Sequence, residues 1–275
     1  MPDDEDKAGL SRQRDLLAAS VREAGALAMR TFKSPLKSWT KGHSSPVSEA
    51  DIAVDLLLRE RLMGQLSGGG VAGHAWLSEE TEDDPVRLQA RSLWIVDPID
   101  GTRSYLAGRP DWVVSAALVT DGRPVLAALF APVTDEMFLA QAGGGATCNG
   151  LPIAATPGRD LRDVKVAGPK RLLNDLAEIC PGVVLLPRVG SLALRIARVA
   201  QGEADIAFAG DNSHDWDLAA ADLLVHEAGG VLTTLAGESV IYNRPQPVHR
   251  ALVAAGRDRH GSLLPLMRDR LAGTP

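Results

Sequence analysis

Basic charge, cysteine, aromatic side chains and long apolar runs are all scarce in this sequence, and each shortage excludes a class of protein. The 29 Lys and Arg residues are outnumbered by 35 Asp and Glu residues among 275, so the chain lacks the basic face that binding to a nucleic-acid backbone requires. Two isolated cysteines exclude a disulfide framework and favour a reduced cytosolic compartment. No stretch approaches the ~20 apolar residues of a membrane span, and the acidic first residues lack the pattern of a signal peptide. We therefore expect a cytoplasmic protein with neither a membrane nor a nucleic-acid partner.

Glycine and alanine are abundant, and the elements follow a regular order. In the first part of the chain we predict a frayed acidic tail over 1–9, an amphipathic helix over 10–31, a loop over 33–47 and a helix over 52–66 that Gly68 to Gly70 ends. Further along, the pattern predicts an antiparallel meander. Its strands are expected at 93–96, 112–119, 124–130 and 136–140.

From about residue 160, short strands and helices alternate. Strands are expected at 164–167, 183–186, 204–208, 231–235 and 251–255, and helices at 170–178, 191–200, 217–228 and 257–271. Alternation of this kind implies a mostly parallel or mixed sheet flanked by helices. The predicted fold class is therefore α/β (α+β), with an N-terminal lobe over 1–157 and a C-terminal lobe over 158–275.

The stretch from Trp94 to Thr102 is the most informative part of the chain. A short apolar run, typical of a buried strand, ends in Asp97, and Asp100 follows after a proline and Ile99. Two carboxylates and the backbone carbonyl of Ile99 suit a hard divalent cation, which prefers oxygen ligands. Taken alone, the two aspartates are equally compatible with an ordinary turn.

Three other acidic segments favour a metal site over an ordinary turn. Glu79 precedes a solvated acidic run, Asp217 opens an apolar helix, and Asp51 stands in the last position of a capping-box sequence. Each of these positions also has an ordinary explanation in solvation, the helix dipole or capping. Carboxylates that converge on one cleft repel one another unless cations neutralise them. An oxygen-rich site without a Cys or His cluster favours Mg²⁺ or Mn²⁺ over zinc, and two such ions are suited to displacement at phosphorus.

Together, these motifs resemble the inositol monophosphatase family. D-P-I-D-G-T at 97–102, S-E-E at 78–80, W-D at 216–217 and E-A-G-G at 227–230 match its pattern in order and spacing over nearly the whole chain. The resemblance implies a layered α-β-α-β-α sandwich and a lithium-sensitive phosphomonoesterase activity. It also implies two or three Mg²⁺ ions and a homodimer.

The resemblance also implies roles for individual residues. The metal ligands would be Glu79, Asp97, Ile99 through its carbonyl, Asp100 and Asp217. Asp97 would bridge the two ions. Asp51 and Thr102 would orient the attacking water and help to deprotonate it, so these two residues and Glu79 are the catalytic candidates.

A second group of residues would contact the substrate. Its members are Lys41, Gly101, Thr102, Arg103, Gly190, Ser191, Leu192 and Tyr242. Gly101 and Thr102 would hold phosphate oxygens through N–H groups at a helix start. The segment from Gly190 to Leu192 would contact the alcohol portion, and Lys41 would lie close to the phosphate.

Two features depart from the inositol-specific pattern. The segment 207–213 offers no glutamate where inositol phosphatases bind ring hydroxyls, and Arg103 follows Thr102. The segments 77–80, 101–103 and 241–243 resemble those of the bacterial 3′(2′),5′-bisphosphate nucleotidases of the same superfamily. A second substrate phosphate needs a second cation, for which Arg103 and Arg188 are candidates. The alternatives are a surface position for Arg103 and a buried one for Tyr242.

The first hypothesis for the function is magnesium-dependent hydrolysis of adenosine 3′(2′),5′-bisphosphate to AMP and phosphate. The main alternative is an inositol-1-phosphatase or a broad sugar-phosphate phosphatase. A non-catalytic ligand-binding relative is an alternative of another class. Retention of every metal carboxylate and of the pair Asp51 and Thr102 weighs against it.

Overall fold

The computed structural model of the protein describes residues 4–41, 45–64 and 74–272. In this part of the chain the helices are α1 (Asp4–Met29), α2 (Glu49–Gly64), α3 (Thr102–Leu106), α4 (Lys170–Ile179), α5 (Leu192–Ala200), α6 (Asp215–Glu227) and α7 (Arg257–Ala272). The strands are β1 (Ser38–Lys41), β2 (Ser45–Ser48), β3 (Ala75–Ser78), β4 (Ser92–Asp100), β5 (Val113–Thr120), β6 (Arg123–Ala131), β7 (Glu136–Gln141), β8 (Gly145–Cys148), β9 (Leu151–Pro152), β10 (Lys165–Ala167), β11 (Val184–Leu185), β12 (Ile206–Ala209), β13 (Ser213–His214), β14 (Gly230–Thr234), β15 (Val248–His249) and β16 (Leu252–Gly256).

Strands β3 to β9 form a seven-stranded sheet in chain order. Strand β3 is parallel to β4, and every later pair is antiparallel. Along β4, Leu93 and Ile95 pack in one core with α5 and α6, whereas Trp94 and Val96 pack in another with α1 and α2. Because both faces of this strand are buried, its sequence is apolar without alternation.

The second large sheet has five strands in the order β11-β10-β12-β16-β14. Strand β10 is parallel to β11 and β12, and β16 is antiparallel to β12 and β14. Residues of this sheet share one core with α5 and α6 and another with α4 and α7. The layers are therefore α1 with α2, the seven-stranded sheet, α5 with α6, the five-stranded sheet, and α4 with α7. The predicted α-β-α-β-α sandwich is confirmed.

Two predicted segments differ in the structure. Helix α1 begins at Asp4, so the predicted frayed tail is wrong for residues 4–9, and residues 1–3 lie outside the described residues. Acidic sequence suits the positive end of a helix dipole. The expected loop over 33–47 contains the antiparallel pair β1 and β2, in which Trp39 lies opposite Val47. These strands are too short and polar for their pattern to indicate pairing. The expected helix end at Gly68 to Gly70 lies outside the described residues.

The connection between the two large sheets runs from β9 to β10. It contains the predicted lobe boundary between residues 157 and 158, and that division stays a prediction. No helix in the described ranges combines the length and the apolar character needed to cross a membrane.

Candidate active site

The end of strand β4 brings two aspartates to one edge of the seven-stranded sheet. The pairing register with β5 shifts between Asp97 and Asp100, where Pro98 has no N–H to donate to the ladder. In this irregular turn the N–H of Ile99 donates to Asp97 Oδ1 at 3.1 Å. Asp97 is 1% exposed and Asp100 is 6% exposed, so both carboxylates enter the interior at the same place.

Helix α6 supplies a third carboxylate, Asp217, from its first turn. The N–H of His214 donates to Asp217 Oδ2 at 2.7 Å, so this aspartate also caps the helix. One carboxylate oxygen from each of Asp97, Asp100 and Asp217 lies within 4.8 Å of the other two. Among the described residues, none of the three forms an ion pair with a lysine or arginine.

The electrostatics of this cluster favour a cation. Burial, and after it the neighbouring carboxylates beginning with Glu79, raises the pKa of Asp97 well above its ordinary value. Burial and then the charge of Asp100 raise the pKa of Asp217 in the same way. Burial also raises the pKa of Asp100, although hydrogen bonds beginning with that from Ser191 oppose the rise. An all-oxygen donor set with uncompensated negative charge fits a hard divalent ion such as Mg²⁺.

Glu79 follows strand β3 directly and lies on the wall of the same pocket. Its N–H donates to the carbonyl of Val96 at 3.3 Å, and its own carbonyl accepts from Lys41 Nζ at 3.1 Å. Burial and then the charge of Glu80 raise the pKa of Glu79 to about 7. A bound cation would favour its ionised form. We call Glu79, Asp97, Asp100 and Asp217 the acidic wall.

Asp51 uses its two oxygens for different purposes. Oδ2 accepts from the N–H and the Oγ of Ser48 at 2.8 and 2.5 Å, which caps helix α2. Thr102 Oγ1 lies 3.1 Å from Asp51 Oδ1 and 3.0 Å from the carbonyl oxygen of Ile99. Burial raises the pKa of Asp51, although hydrogen bonds from Ser48 and Thr102 oppose the rise. The capping interpretation and the predicted pairing with Thr102 are therefore both present.

Gly101 makes the turn from β4 into α3. Its φ of 96° lies in the left-handed region, and a Cβ at this position would approach Asp111 O and Ser191 N to 3.1 Å. Both the backbone angle and the available space therefore require glycine. The close approach brings the start of α5 against the end of β4.

The segment 190–193 is bound to Asp100 in this structure. Ser191 Oγ and the N–H of Ala193 donate to Asp100 Oδ2 at 2.6 Å each, and the N–H of Leu192 donates to Oδ1 at 3.3 Å. The N–H of Gly190 donates to the side chain of Asp111 at 2.5 Å. Asp100 therefore caps α5, and the predicted contact of this segment with a substrate alcohol stays a prediction.

These groups share an open pocket with a cavity volume of about 280 Å³. It is lined by Pro46, Glu79, Asp97, Asp100, Gly101, Thr102, Arg103, Ser104, Arg109, Arg188, Gly190 and Asp217.

We call its three arginines, Arg103, Arg109 and Arg188, the cationic rim. Arg109 donates to Ser104 Oγ at 2.6 Å and lies 3.5 Å from the carboxylate of Asp111. Arg188 makes no hydrogen bond or ion pair with any residue in the described ranges.

Two residues that were predicted to contact the substrate, Lys41 and Tyr242, bind other side chains of the protein in this structure. Lys41 forms an ion pair with Glu80 as well as its bond to Glu79, so it holds the acidic segment in place. Tyr242 is 1% exposed and its hydroxyl donates to Asp222 Oδ2 at 3.0 Å. It is therefore a core residue, and we correct its assignment as a substrate contact. The sequence alone does not distinguish a tyrosine buried in the core from one that contacts a substrate.

Several residues around the site were not anticipated from the sequence. Ser104, Arg109 and Asp111 connect α3 to the segment before α5, and their contacts join parts of the chain that no local pattern relates. Asp55 is the exception. Asp55 follows Asp51 by four residues, which places both on the same face of α2. This spacing could have identified Asp55 as a residue near the site.

Comparisons with known proteins agree with this geometry. The model of the inositol monophosphatase family matches residues 11–271. An inositol-1-monophosphatase of Rhizobium meliloti (strain 1021) is 33% identical over 234 residues, which cover 81% of this chain and 85% of that protein. The Nus factor SuhB of Xylella fastidiosa (strain Temecula1 / ATCC 700964) is 30% identical and covers 81% and 82%. The crystal structure of the extragenic suppressor protein SuhB from Bartonella henselae aligns with a TM-score of 0.81 at 28% identity, over 94% of this chain and 98% of that one.

Proposed function

The chain belongs to the inositol monophosphatase family of phosphomonoesterases, and from this premise we propose that it is a magnesium-dependent phosphatase of adenosine 3′(2′),5′-bisphosphate. The observation that carries the proposal is the pairing of the acidic wall with the cationic rim in one pocket. The acidic wall accounts for hydrolysis. The cationic rim accounts for a substrate with a second anionic group.

The acidic wall would hold two or three Mg²⁺ ions, or Mn²⁺ as a substitute. Glu79, Asp97 and the carbonyl of Ile99 would bind one ion. The second would be bound by Asp100 and Asp217, with Asp97 shared between the two. When bound, these ions polarise the attacking water and stabilise the leaving oxygen.

Thr102 and Asp51 would receive the proton of the attacking water. Thr102 Oγ1 takes the proton as its own proton passes to Asp51 Oδ1, 3.1 Å away. The raised pKa of Asp51, caused first by burial, makes its carboxylate a better base than an exposed aspartate. A P–O bond forms to the water oxygen as the ester P–O bond breaks, and the departing ester oxygen takes a proton from solvent water to give AMP. Asp51 returns its proton to solvent when inorganic phosphate leaves.

The phosphate to be removed would lie against the start of α3. The first N–H groups of a helix have no partner within it, so those near Gly101 and Thr102 can donate to phosphate oxygens. Both residues line the pocket beside the acidic wall.

Three features support a second anionic group on the substrate. Arg188 lines the pocket with no ion-pair partner among the described residues, so its charge is available to a ligand. Arg103 lies on the same rim. Asp211, an acid in the segment where inositol phosphatases carry a glutamate, instead accepts from the N–H of Ala251 at 3.0 Å. Arginines at this mouth suit a phosphate better than a polyol.

An inositol-1-phosphatase is the second candidate, because the Rhizobium meliloti relative carries that name. A panel of phosphate-release assays with Mg²⁺ separates the two. Adenosine 3′,5′-bisphosphate should be hydrolysed with a higher kcat/KM than inositol 1-phosphate, fructose 1,6-bisphosphate or histidinol phosphate, and lithium should inhibit every reaction. Faster turnover of inositol 1-phosphate would overturn the proposed substrate while leaving the phosphatase activity in place.

A matched variant separates the substrate question from the reaction. Thr102→Val keeps the shape of the side chain and removes its hydroxyl, so we expect kcat to fall about 10²-fold or more for every ester. A loss restricted to one substrate would contradict the assigned role of Thr102.

We also propose that the protein acts in the cytoplasm as a homodimer on a small phosphorylated metabolite. The net charge of −6 supports the absence of a nucleic-acid partner. Light scattering of the purified protein tests the dimer, which a monomeric mass at micromolar concentration would refute.

A further inference from the structure

Helix α2 carries a second buried carboxylate one turn after Asp51. Asp55 is 5% exposed, and its two oxygens accept hydrogen bonds from the last residue of β3 and from the segment that follows it. Oδ1 accepts from Ser78 Oγ, and Oδ2 accepts from Thr81 Oγ1 at 2.7 Å. Ser78 and Thr81 are the residues immediately before and after Glu79 and Glu80, which we call the acidic pair. A single carboxylate therefore binds the chain on both sides of this pair.

The acidic pair needs such a restraint. Glu79 shares one pocket with the other three carboxylates of the acidic wall, and repulsion from them favours any backbone shift that carries it away. The N–H and carbonyl of Glu79 are fixed by Val96 and Lys41. Asp55 fixes the residues immediately before and after the acidic pair.

Electrostatics alone does not explain a buried carboxylate at this position. The Asp55 carboxylate places one more negative charge beside the acidic pair, so it adds to the repulsion in the segment that it holds. The stabilising contribution of Asp55 must therefore come from the two hydrogen bonds, because only a carboxylate can accept one with each of its two oxygens.

We propose that Asp55 is a positioning residue of the metal centre: by binding Ser78 and Thr81 it holds Glu79 in place to bind a divalent ion. This inference rests on the proposed function, since Glu79 is assigned there as a ligand. Outer partners of metal ligands of this kind alter metal affinity by about 10- to 100-fold when removed.

The experiment measures metal binding directly. Isothermal titration of the full-length protein with Mg²⁺ is carried out for the wild type, Asp55→Ala, Asp55→Asn, Glu79→Gln and Glu60→Gln. Glu60 lies on the same helix with 73% of its side chain exposed, which makes it the matched control. Asp55→Ala should weaken Mg²⁺ binding about tenfold. Asp55→Asn can still accept from one hydroxyl and should rescue part of that loss, while Glu60→Gln should bind as the wild type does.

Activity provides the second readout. At saturating Mg²⁺ the kcat of Asp55→Ala should return to within about threefold of the wild type, whereas the Mg²⁺ concentration for half-maximal activity should rise about tenfold. A purely structural role would lower the melting temperature and leave the Mg²⁺ affinity unchanged, and that result would overturn the inference.

The outcomes also separate this inference from the proposed function. Unchanged Mg²⁺ affinity in Glu79→Gln would contradict the metal assignment itself. Weakened binding in Glu79→Gln with normal binding in Asp55→Ala would refute the role of Asp55 alone. If Asp55→Ala does not fold, Thr81→Val removes one of the two hydrogen bonds and should weaken Mg²⁺ binding in the same direction; normal affinity in that variant would again refute the role.

Discussion

The acidic wall and the cationic rim face one pocket but are constructed in opposite ways. Asp97 and Asp100 are buried, and backbone N–H groups hold the carboxylates of Asp97, Asp100 and Asp217. Arg188, on the cationic rim, is exposed and makes no polar contact with the part of the chain that the structure describes. Buried charges destabilise a fold unless their surroundings are fixed, whereas an exposed arginine costs little. Under the proposed function, the reaction chemistry would therefore depend on buried residues, whereas Arg188, which would help to select the substrate, could change without disturbing the core.

The largest expected effect tests the acidic wall. Asp97→Asn removes the carboxylate shared between the two proposed ions, so we expect kcat to fall by about 10³-fold or more in phosphate-release assays. The same change removes a charge that burial and its neighbours make unfavourable, so the melting temperature without divalent ions should rise. Near-normal turnover, or a lower melting temperature without metal, would contradict this view of the acidic wall.

A buried acid outside the acidic wall separates the effect of burial from that of neighbouring carboxylates. Burial raises the pKa of Asp222 from 3.8 to about 6, although the charge of Arg123 opposes the rise. The folded state then binds the proton more tightly than the unfolded state does. The contribution to stability is therefore full below about pH 4, is lost as the pH rises toward 6, and stays lost above it.

Asp222→Asn should abolish this pH dependence. The asparagine oxygen can still accept from Tyr242, so the free energy of unfolding at pH 8 should rise by up to about 3 kcal/mol relative to the wild type. At pH 4 the two proteins should be nearly equally stable. Urea unfolding at both pH values measures the difference, and an equal gain at both would show that the charge of Asp222 is not the cause.

The smallest expected effect tests the cationic rim. Arg188→Ala should raise the KM for adenosine 3′,5′-bisphosphate about tenfold through loss of a charge-assisted contact, with little change in kcat or in the KM for a simple phosphomonoester. Arg109→Ala is the matched comparison, because the guanidinium of Arg109 is already engaged by Ser104 and Asp111. Equal increases in KM for both substrates would remove Arg188 from the specificity argument.

The sequence was most informative where the candidate metal ligands lie close together in the chain. Asp97, Ile99 and Asp100 are adjacent in the chain, and the apolar run before them shows where the strand ends. The antiparallel meander and the alternating strands and helices could be predicted for a related reason, since hydrophobic periodicity and the Asp121-Gly122 turn are local signals. The layered sandwich itself was implied by the family resemblance.

What could not be predicted depends on contacts between distant residues. The bond from Lys41 to Glu80 and that from Tyr242 to Asp222 exist only once the sheets have packed. Likewise, nothing near Asp100 indicates that it caps a helix starting some ninety residues later. The predicted ligands converge in space, whereas their roles toward metal and substrate stay predictions.

The order of the acidic wall along the chain has a consequence for biosynthesis. Asp217 lies on α6, which together with α5 separates the two sheets, whereas Glu79, Asp97 and Asp100 all belong to the first sheet or its edge. At about 5–20 residues per second, a ribosome releases Glu79 roughly 7 to 28 seconds before Asp217. During that interval the nascent chain displays one sheet face without α6 to cover it and an acidic edge without its fourth carboxylate. A chain interrupted before α6 therefore presents an exposed apolar surface, which chaperones and proteases recognise, and has no complete acidic wall.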